Sequence, residues 1–129
     1  TVSFGPPSDE FRTVYAIVDR AQNAGIGALA AGRTGEEVDR AARKVIEDAG
    51  YGDFFTHRLG HGIGMDGHEH PYLVKTNRKP LVPGNTVTVE PGIYLPGKFG
   101  VRIEDYYAVR EKGLRSLSVR PQELVVLKG

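Results

Sequence analysis

The sequence predicts an α+β domain in which two helices pack on one face of an antiparallel sheet. Two stretches within the first 50 residues carry apolar side chains at helical spacing. After residue 52 the pattern changes to short segments in which apolar and polar side chains alternate, as they do in strands. A chain of 129 residues has room for one domain with a modest core.

The first helix is predicted over about residues 9–29, after a short extended piece at 1–5 and a pair of prolines. Ser8 or Asp9 can cap its N-terminus. Its apolar stripe consists of Phe11, Val14, Tyr15, Val18 and Ala21. The second helix begins with the capping box TGEE at 34–37, and Gly50 favours its end. The stripe of this helix consists of Val38, Ala41, Ala42, Val45, Ile46 and Ala49.

The clearest strand is predicted at residues 86–90, where two valines face one side and Thr86, Thr88 and Glu90 face the other. Further strands are predicted at 54–59, 101–109 and 123–127. The intervening segments are predicted to form a glycine-rich loop at 60–71 and a turn at 80–85. The chain contains no repeats and no linker, so these elements belong to one domain.

The composition argues against two classes of partner. With 17 basic and 16 acidic residues, the chain has neither the basic excess of a nucleic-acid binder nor a polybasic run for a membrane surface. No apolar stretch approaches the roughly 20 residues of a membrane span, and residues 1–5 do not resemble a signal peptide, so we expect a cytoplasmic protein. That start also reads as the tail of a strand without an initiator methionine, so we expect a fragment of a longer chain.

The histidines are concentrated in one short segment. The chain has four, and all of them lie between residues 57 and 70: His57, His61, His68 and His70. A single histidine is usually a satisfied surface or core residue, but four in one glycine-rich loop favour a functional site, because imidazole binds metals and moves protons near neutral pH. With no cysteine in the chain, any metal must be held by His, Asp or Glu.

Two familiar motifs in this segment are rejected. Residues 62–67 match the glycine pattern of dinucleotide-binding loops, but no helix-forming stretch follows and Pro71 comes soon after. The pair His68-Glu69 resembles the start of the helical zinc motif, but position 72 is a tyrosine where the second histidine is needed. Neither a nucleotide site nor a helical zinc site is therefore expected.

Acidic side chains on two predicted strands provide further candidate ligands. Glu90 lies opposite the valines of its strand, and Arg102 and Glu104 share one face of the next. If these strands pair, the two glutamates and the arginine line one polar sheet face. A solvated surface is the simpler interpretation for either strand alone. Carboxylates beside an imidazole suit Mn²⁺, Co²⁺, Zn²⁺ or Fe²⁺.

Four motifs together resemble the pita-bread metallopeptidases. Residues 57–64 (HRLGHGIG) resemble the family segment HxxGHGIG, and 68–71 (HEHP) resemble HExP. Residues 81–94 (LVPGNTVTVEPGIY) resemble LxPGxxxTxEPGxY, and 100–105 match GVRIED. The last two forms are similar to those of Xaa-Pro aminopeptidases and prolidases. The resemblance implies half of a pita-bread (creatinase/aminopeptidase-like) fold, with two helices on a curved antiparallel sheet.

The resemblance also implies a dinuclear metal site. His61, Glu90 and Glu104 match family ligands, with Glu104 bridging both ions, while His57 and His68 match histidines that face substrate. Arg102 matches an arginine beside the site, and His70 has no role in the pattern. The family uses five ligands, and the other two are aspartates in a segment that would lie just before residue 1. This chain, 1–129, would then be the C-terminal part of the catalytic domain and supply three of the five.

The implied activity is hydrolysis of Xaa-Pro peptide bonds by an intact parent protein, with a proline-containing peptide as substrate. We expect the chain to be inactive by itself unless the missing N-terminal half, or a partner chain, supplies the aspartates. A homodimer is expected for the intact protein by analogy with the enzymes it resembles. The alternative is a non-catalytic pita-bread module that binds peptides or proteins.

Overall fold

A computed structural model describes residues 1–121 and 123–128 of the chain. The helices are α1 (Asp9–Ala28) and α2 (Gly35–Asp48), and a 3₁₀ turn follows at Gly52–Phe54. The described strands are β1 (Val2–Phe4), β2 (Gly60–Gly62), β3 (Glu69–Leu73), β4 (Thr86–Val89), β5 (Gly92–Leu95), β6 (Phe99–Arg102), β7 (Asp105–Val109), β8 (Leu114–Ser116) and β9 (Val125–Leu127). The α+β prediction is confirmed.

Both helices begin where their caps predict. The Ser8 side chain accepts a hydrogen bond from the amide of Phe11 at the start of α1. In the capping box of α2, the Thr34 hydroxyl accepts from the Glu37 amide at 3.2 Å, and the Glu37 carboxylate accepts from the Thr34 amide at 2.8 Å. Beyond α2, Gly50 takes a φ of +83°, a conformation that glycine adopts without strain and that ends the helix.

The central sheet has five strands in the order β3-β2-β4-β7-β8, and every neighbouring pair is antiparallel. Strands β5 and β6 form a separate antiparallel pair, and β1 pairs with β9 in parallel. Gly25 of α1 lies where the two helices and the sheet meet, and a Cβ there would lie 3.2 Å from the side chains of Leu59 and Val89 and 3.3 Å from that of Ala42. The core therefore lies between the helices and the strands that carry the histidine and glutamate motifs.

Two strand predictions and one loop prediction are wrong. Residues 54–59 form the end of a 3₁₀ turn and an irregular segment, and the predicted loop at 60–71 contains β2 and part of β3. The predicted strand at 101–109 is two strands of different sheets, separated by Ile103 and Glu104. Strand β5, directly after Pro91, was not predicted. The short strand β2 has the sequence Gly-His-Gly, which carries no alternating pattern.

Glycine in β2 is needed for close approach of neighbouring strands. A Cβ on Gly60 would lie 2.0 Å from the carbonyl oxygen of Thr88, and a Cβ on Gly62 would lie 2.3 Å from that of His70. Any side chain there would separate β2 from β4 and β3. Within the described residues, no helix is long and apolar enough to cross a membrane.

Candidate metal centre

Three of the predicted ligands converge on one point of the structure. His61 is the middle residue of β2, Glu90 directly follows β4, and Glu104 lies between β6 and β7. Each offers a ligand atom, and these atoms all lie within 4.8 Å of one another. The antiparallel pairing of β4 with both β2 and β7 brings them together, although they are up to 43 positions apart in the chain.

The hydrogen bonds of His61 leave one ring nitrogen for a ligand. Its Nδ1 lies 2.9 Å from the carbonyl oxygen of Gly62. Because a carbonyl only accepts, Nδ1 carries the ring hydrogen, and Nε2 of the neutral imidazole has only a lone pair. This Nε2 lies 3.0 Å from Glu90 Oε1, so two acceptor atoms face one another in a buried position. A divalent cation between them satisfies both, and the residues present therefore fit a metal site.

Thr88 connects two of these residues. Its hydroxyl accepts a hydrogen bond from the His61 amide at 3.0 Å and donates one to Glu90 Oε1 at 2.9 Å. The side chain is completely buried in β4. This role was missed in the sequence, although the position of Thr88 two residues before Glu90 on the same strand face was a usable signal.

Charged and aromatic groups surround the third ligand. Glu104 is partly exposed, and its negative charge is the main cause that raises the pKa of the neighbouring Tyr106 hydroxyl. Arg102 is exposed and places Nη1 3.9 Å from Glu90 Oε2. Partial burial raises the pKa of Tyr94, while the charge of Arg102 acts in the opposite direction. Arg102 thus lies close to the Glu90 carboxylate.

The remaining histidines take different positions. The exposed ring of His68 stands edge-on to that of His61, with the ring centroids 4.2 Å apart. The half-buried His57 donates from Nδ1 to the carbonyl of Arg58 at 2.7 Å, and its Nε2 lies 2.9 Å from the Tyr94 hydroxyl. His70 is exposed, and its ring centroid lies 4.5 Å from that of Tyr72.

A buried polar network behind the glutamates was not predicted. Gln22 of α1 donates from Nε2 to the carbonyl of Val89 at 3.0 Å and to Asp105 Oδ2 at 3.1 Å. The other oxygen of the Asp105 carboxylate accepts from Ser118 at 2.7 Å. Val89 precedes one candidate ligand and Asp105 follows another. A polar Gln22 within the apolar stripe of the first helix was the signal for this contact.

Comparison with known proteins gives a consistent set of relatives. The sequence model of metallopeptidase family M24 matches residues 1–111. The chain is 46% identical over 127 residues to a probable dipeptidase PepE of Mycobacterium tuberculosis and to an Xaa-Pro dipeptidase of Lactobacillus delbrueckii subsp. lactis. Each match covers 98% of this chain and 34% of the relative.

Solved structures agree with these matches. An X-Pro aminopeptidase from Thermotoga maritima superposes with a TM-score of 0.94 at 46% identity, covering 98% of this chain and 36% of that one. A prolidase from Thermococcus sibiricus superposes with a TM-score of 0.94 at 48% identity, covering 98% and 34%. The predicted resemblance and pita-bread fold are confirmed. The chain spans about a third of the length of the relatives it matches.

Proposed function

Because the chain belongs to metallopeptidase family M24, we propose that its parent protein hydrolyses Xaa-Pro peptide bonds in a metal-dependent reaction. Residues 1–129 would form the C-terminal part of the catalytic domain. The observation that carries the proposal is the convergence of His61, Glu90 and Glu104, whose ligand atoms lie within 4.8 Å of one another. Relatives named Xaa-Pro dipeptidase and X-Pro aminopeptidase support the substrate class.

The metal would be held by His61 Nε2 and by the carboxylates of Glu90 and Glu104. Two further ligands, the expected aspartates, would come from the part of the parent that precedes this chain. Mn²⁺, Co²⁺, Zn²⁺ and Fe²⁺ all suit such a set of nitrogen and oxygen donors. When bound, such ions supply Lewis acidity, which acidifies a water molecule and polarises the scissile carbonyl.

Glu90 is the proposed general base and acid. Its carboxylate would take a proton from the attacking water and later deliver it to the leaving nitrogen of proline. The Thr88 hydroxyl donates to Oε1 of this carboxylate, and Oε2 points toward Arg102. Glu104, which has no such buried contact to Thr88, is proposed to bridge the ions.

The histidines around the site are proposed to stabilise the negative charge that develops on the carbonyl oxygen. His68 is exposed directly beside His61 and can donate to an oxyanion there. His57 can donate from Nε2 only when its ring is doubly protonated, because Nδ1 already donates to the Arg58 carbonyl. When the ring carries a single hydrogen, Nε2 faces the Tyr94 hydroxyl, which connects the histidine to the β5–β6 pair. Proline in the substrate brings a fixed φ and no amide hydrogen, which calls for a dedicated site.

The test of the proposed chemistry is Glu90→Gln in the parent protein, with an Xaa-Pro dipeptide as substrate. Turnover should be abolished while the metal content, measured by elemental analysis, changes less. Glu47→Gln, at an exposed position of α2, is the matched control and should hydrolyse the dipeptide like the wild type. A Glu90→Gln variant with near-wild-type kcat would show that the role assigned to this carboxylate is wrong.

The contribution of the upstream region is tested separately. Metal content and Xaa-Pro hydrolysis are measured for this chain and for a chain extended upstream through the expected aspartates. The proposal requires that only the longer chain binds about two ions and cleaves the substrate. If neither chain binds metal or cleaves the substrate, the ligand set has no catalytic use, and the alternative function of a peptide- or protein-binding module replaces the proposed peptidase activity.

A further inference from the structure

The segment that carries His57 has no regular secondary structure to hold it. Residues 55–59 connect the 3₁₀ turn to β2 and belong to neither element. Two of its backbone carbonyls are instead held by one side chain of α2. Arg43 donates from Nη1 to the Phe55 carbonyl at 3.0 Å and from Nη2 to the His57 carbonyl at 2.8 Å.

Arg43 is itself held by a buried carboxylate one helical turn away. Asp39 is 1% exposed and accepts from Arg43 Nε and Nη2, both at 2.9 Å. The same carboxylate accepts from the backbone amide of Leu59 at 3.1 Å. The segment is thus fixed at its beginning, middle and end by an ion pair on a rigid helix. A two-pronged pair of this kind restricts orientation as well as distance.

A second set of contacts runs through the rings. The guanidinium carbon of Arg43 lies 4.0 Å from the ring centroid of Phe55. The edge of Phe55 meets His57, with the ring centroids 5.1 Å apart and the planes at 87°. A second aromatic neighbour of His57 is Tyr94, whose ring centroid lies 5.5 Å away. The imidazole therefore packs against a phenyl ring backed by Arg43 and against a phenol of the β5–β6 pair.

Together these contacts fix the ring and its hydrogen. Arg43 holds the carbonyl of His57, and the next carbonyl, of Arg58, accepts from His57 Nδ1 at 2.7 Å. We infer that Arg43 is a positioning residue that sets the orientation and tautomer of His57, an inference that rests on the proposed function for its catalytic consequence. With Arg43 in place, Nε2 of His57 faces the Tyr94 hydroxyl.

The geometry requires arginine rather than a positive charge alone. The planar guanidinium donates to Asp39, Phe55 and His57 in fixed directions and covers an aromatic face as well. A lysine ammonium has three donors on a single nitrogen and cannot reproduce this fork. Arg43→Lys therefore keeps the charge and the helix propensity while removing the geometry.

The experiment uses the full-length parent protein and compares Arg43→Lys with Arg40→Lys. Arg40 is an exposed arginine of the same helix, so its variant controls for the substitution itself. Arg43→Lys should lower kcat/KM for an Xaa-Pro dipeptide by about tenfold or more, since small displacements of a site residue have effects of this size. Metal content should stay at the wild-type value, and Arg40→Lys should leave both quantities unchanged.

A double-mutant cycle separates positioning from a loss of stability. If Arg43 acts through His57, Arg43→Lys should have almost no further effect on kcat/KM in a His57→Ala background. Wild-type kcat/KM in Arg43→Lys, or an equal loss in both backgrounds, would overturn the inference. Should Arg43→Lys fail to fold, Phe55→Leu is combined with His57→Ala in the same double-mutant cycle. Phe55→Leu keeps the Arg43–Asp39 ion pair and removes the ring that contacts both Arg43 and His57.

A spectroscopic measurement makes the inference independent of turnover. In ¹⁵N-histidine-labelled parent protein, the His57 nitrogens should show the Nδ1–H tautomer, and Arg43→Lys should mix the two tautomers while His70 is unchanged. If the wild type hydrolyses no Xaa-Pro substrate, the proposed function fails, and these nitrogen shifts alone decide the role of Arg43. A His57 spectrum that is identical in both proteins would refute it.

Discussion

Replacing Thr88 with valine should weaken the fold and the metal site together, because one hydroxyl serves two candidate ligands. Valine has nearly the same shape, so the backbone of β4 and the packing around it are preserved. The hydroxyl is completely buried, accepts from the His61 amide at 3.0 Å and donates to Glu90 Oε1 at 2.9 Å. The substitution therefore removes one acceptor and one donor from positions that water does not reach.

The magnitude follows from these two bonds. A buried amide that loses its partner costs about 1–3 kcal/mol, and a hydrogen bond to a charged group contributes about 1.5–3 kcal/mol. We expect a net loss of about 2–5 kcal/mol in the free energy of unfolding, because the added methyl group offsets part of the sum. Domains are typically stable by about 5–15 kcal/mol, so the Thr88→Val protein should still fold.

Two assays on the parent protein test this prediction. Urea denaturation measures the free energy of unfolding, and competition with a chelating dye measures metal affinity, which should fall by about 10–100-fold. Thr13→Val is the matched control, since that hydroxyl donates to the Asp9 carbonyl at 2.9 Å on an exposed helix surface. Its effect should stay within about 0.5 kcal/mol. A Thr88→Val protein as stable and as metal-avid as wild type would refute the reasoning.

Three further perturbations have definite expected results. Thr34→Ala removes the capping box of α2 and should lower the free energy of unfolding by about 1 kcal/mol in urea. Gly60→Ala should lower the free energy of unfolding by about 1–3 kcal/mol or more, and lower Tm with it, because its Cβ would lie 2.0 Å from the Thr88 carbonyl oxygen. Gly67→Ala is the control, since a Cβ at that position meets nothing within 4 Å. Burial raises the pKa of Tyr94 above its ordinary value of 10.0, so the folded state favours the protonated phenol. The protein therefore loses folding free energy as the pH rises through and above 10, where the phenol in the unfolded chain ionises first. Tyr94→Phe should therefore lose less stability than wild type between pH 9 and 11 in urea denaturation, and an equal loss would contradict this assignment.

The helices were predictable because their signals are local. The capping box and the apolar stripe lie within one stretch of chain, and the helix that they predict forms within that same stretch. Strand β4 was predictable for the same reason, since Val87 and Val89 alternate with threonines and are both buried. In each case the pattern and the packing agree over consecutive residues.

The elements around the site were harder to predict because their causes are not local. Strand β2 has no alternating apolar residues, and its glycines are needed only because the Thr88 and His70 backbones approach them from elsewhere in the chain. The break at Ile103 and Glu104 is equally invisible, since the alternation continues across it while the pairing partner changes from β5 to β4. Strand alternation made Glu90 and Glu104 candidate ligands, and the motif resemblance added His61 as the third member of the set.

The positions of Glu90 and Glu104 depend on the contacts that hold the neighbouring residue pair, which is the last pair of the β4–β7 ladder. Glu90 and Glu104 both lie just outside the β4–β7 ladder, whose final pair is Val89 opposite Asp105. A side chain beyond a ladder is no longer fixed by it, so its position follows from how firmly that last pair is held. Gln22 binds both members of the pair, one with each hydrogen of its amide nitrogen. A single buried residue of α1 therefore constrains both carboxylates, which explains why a polar side chain occupies the apolar face of that helix.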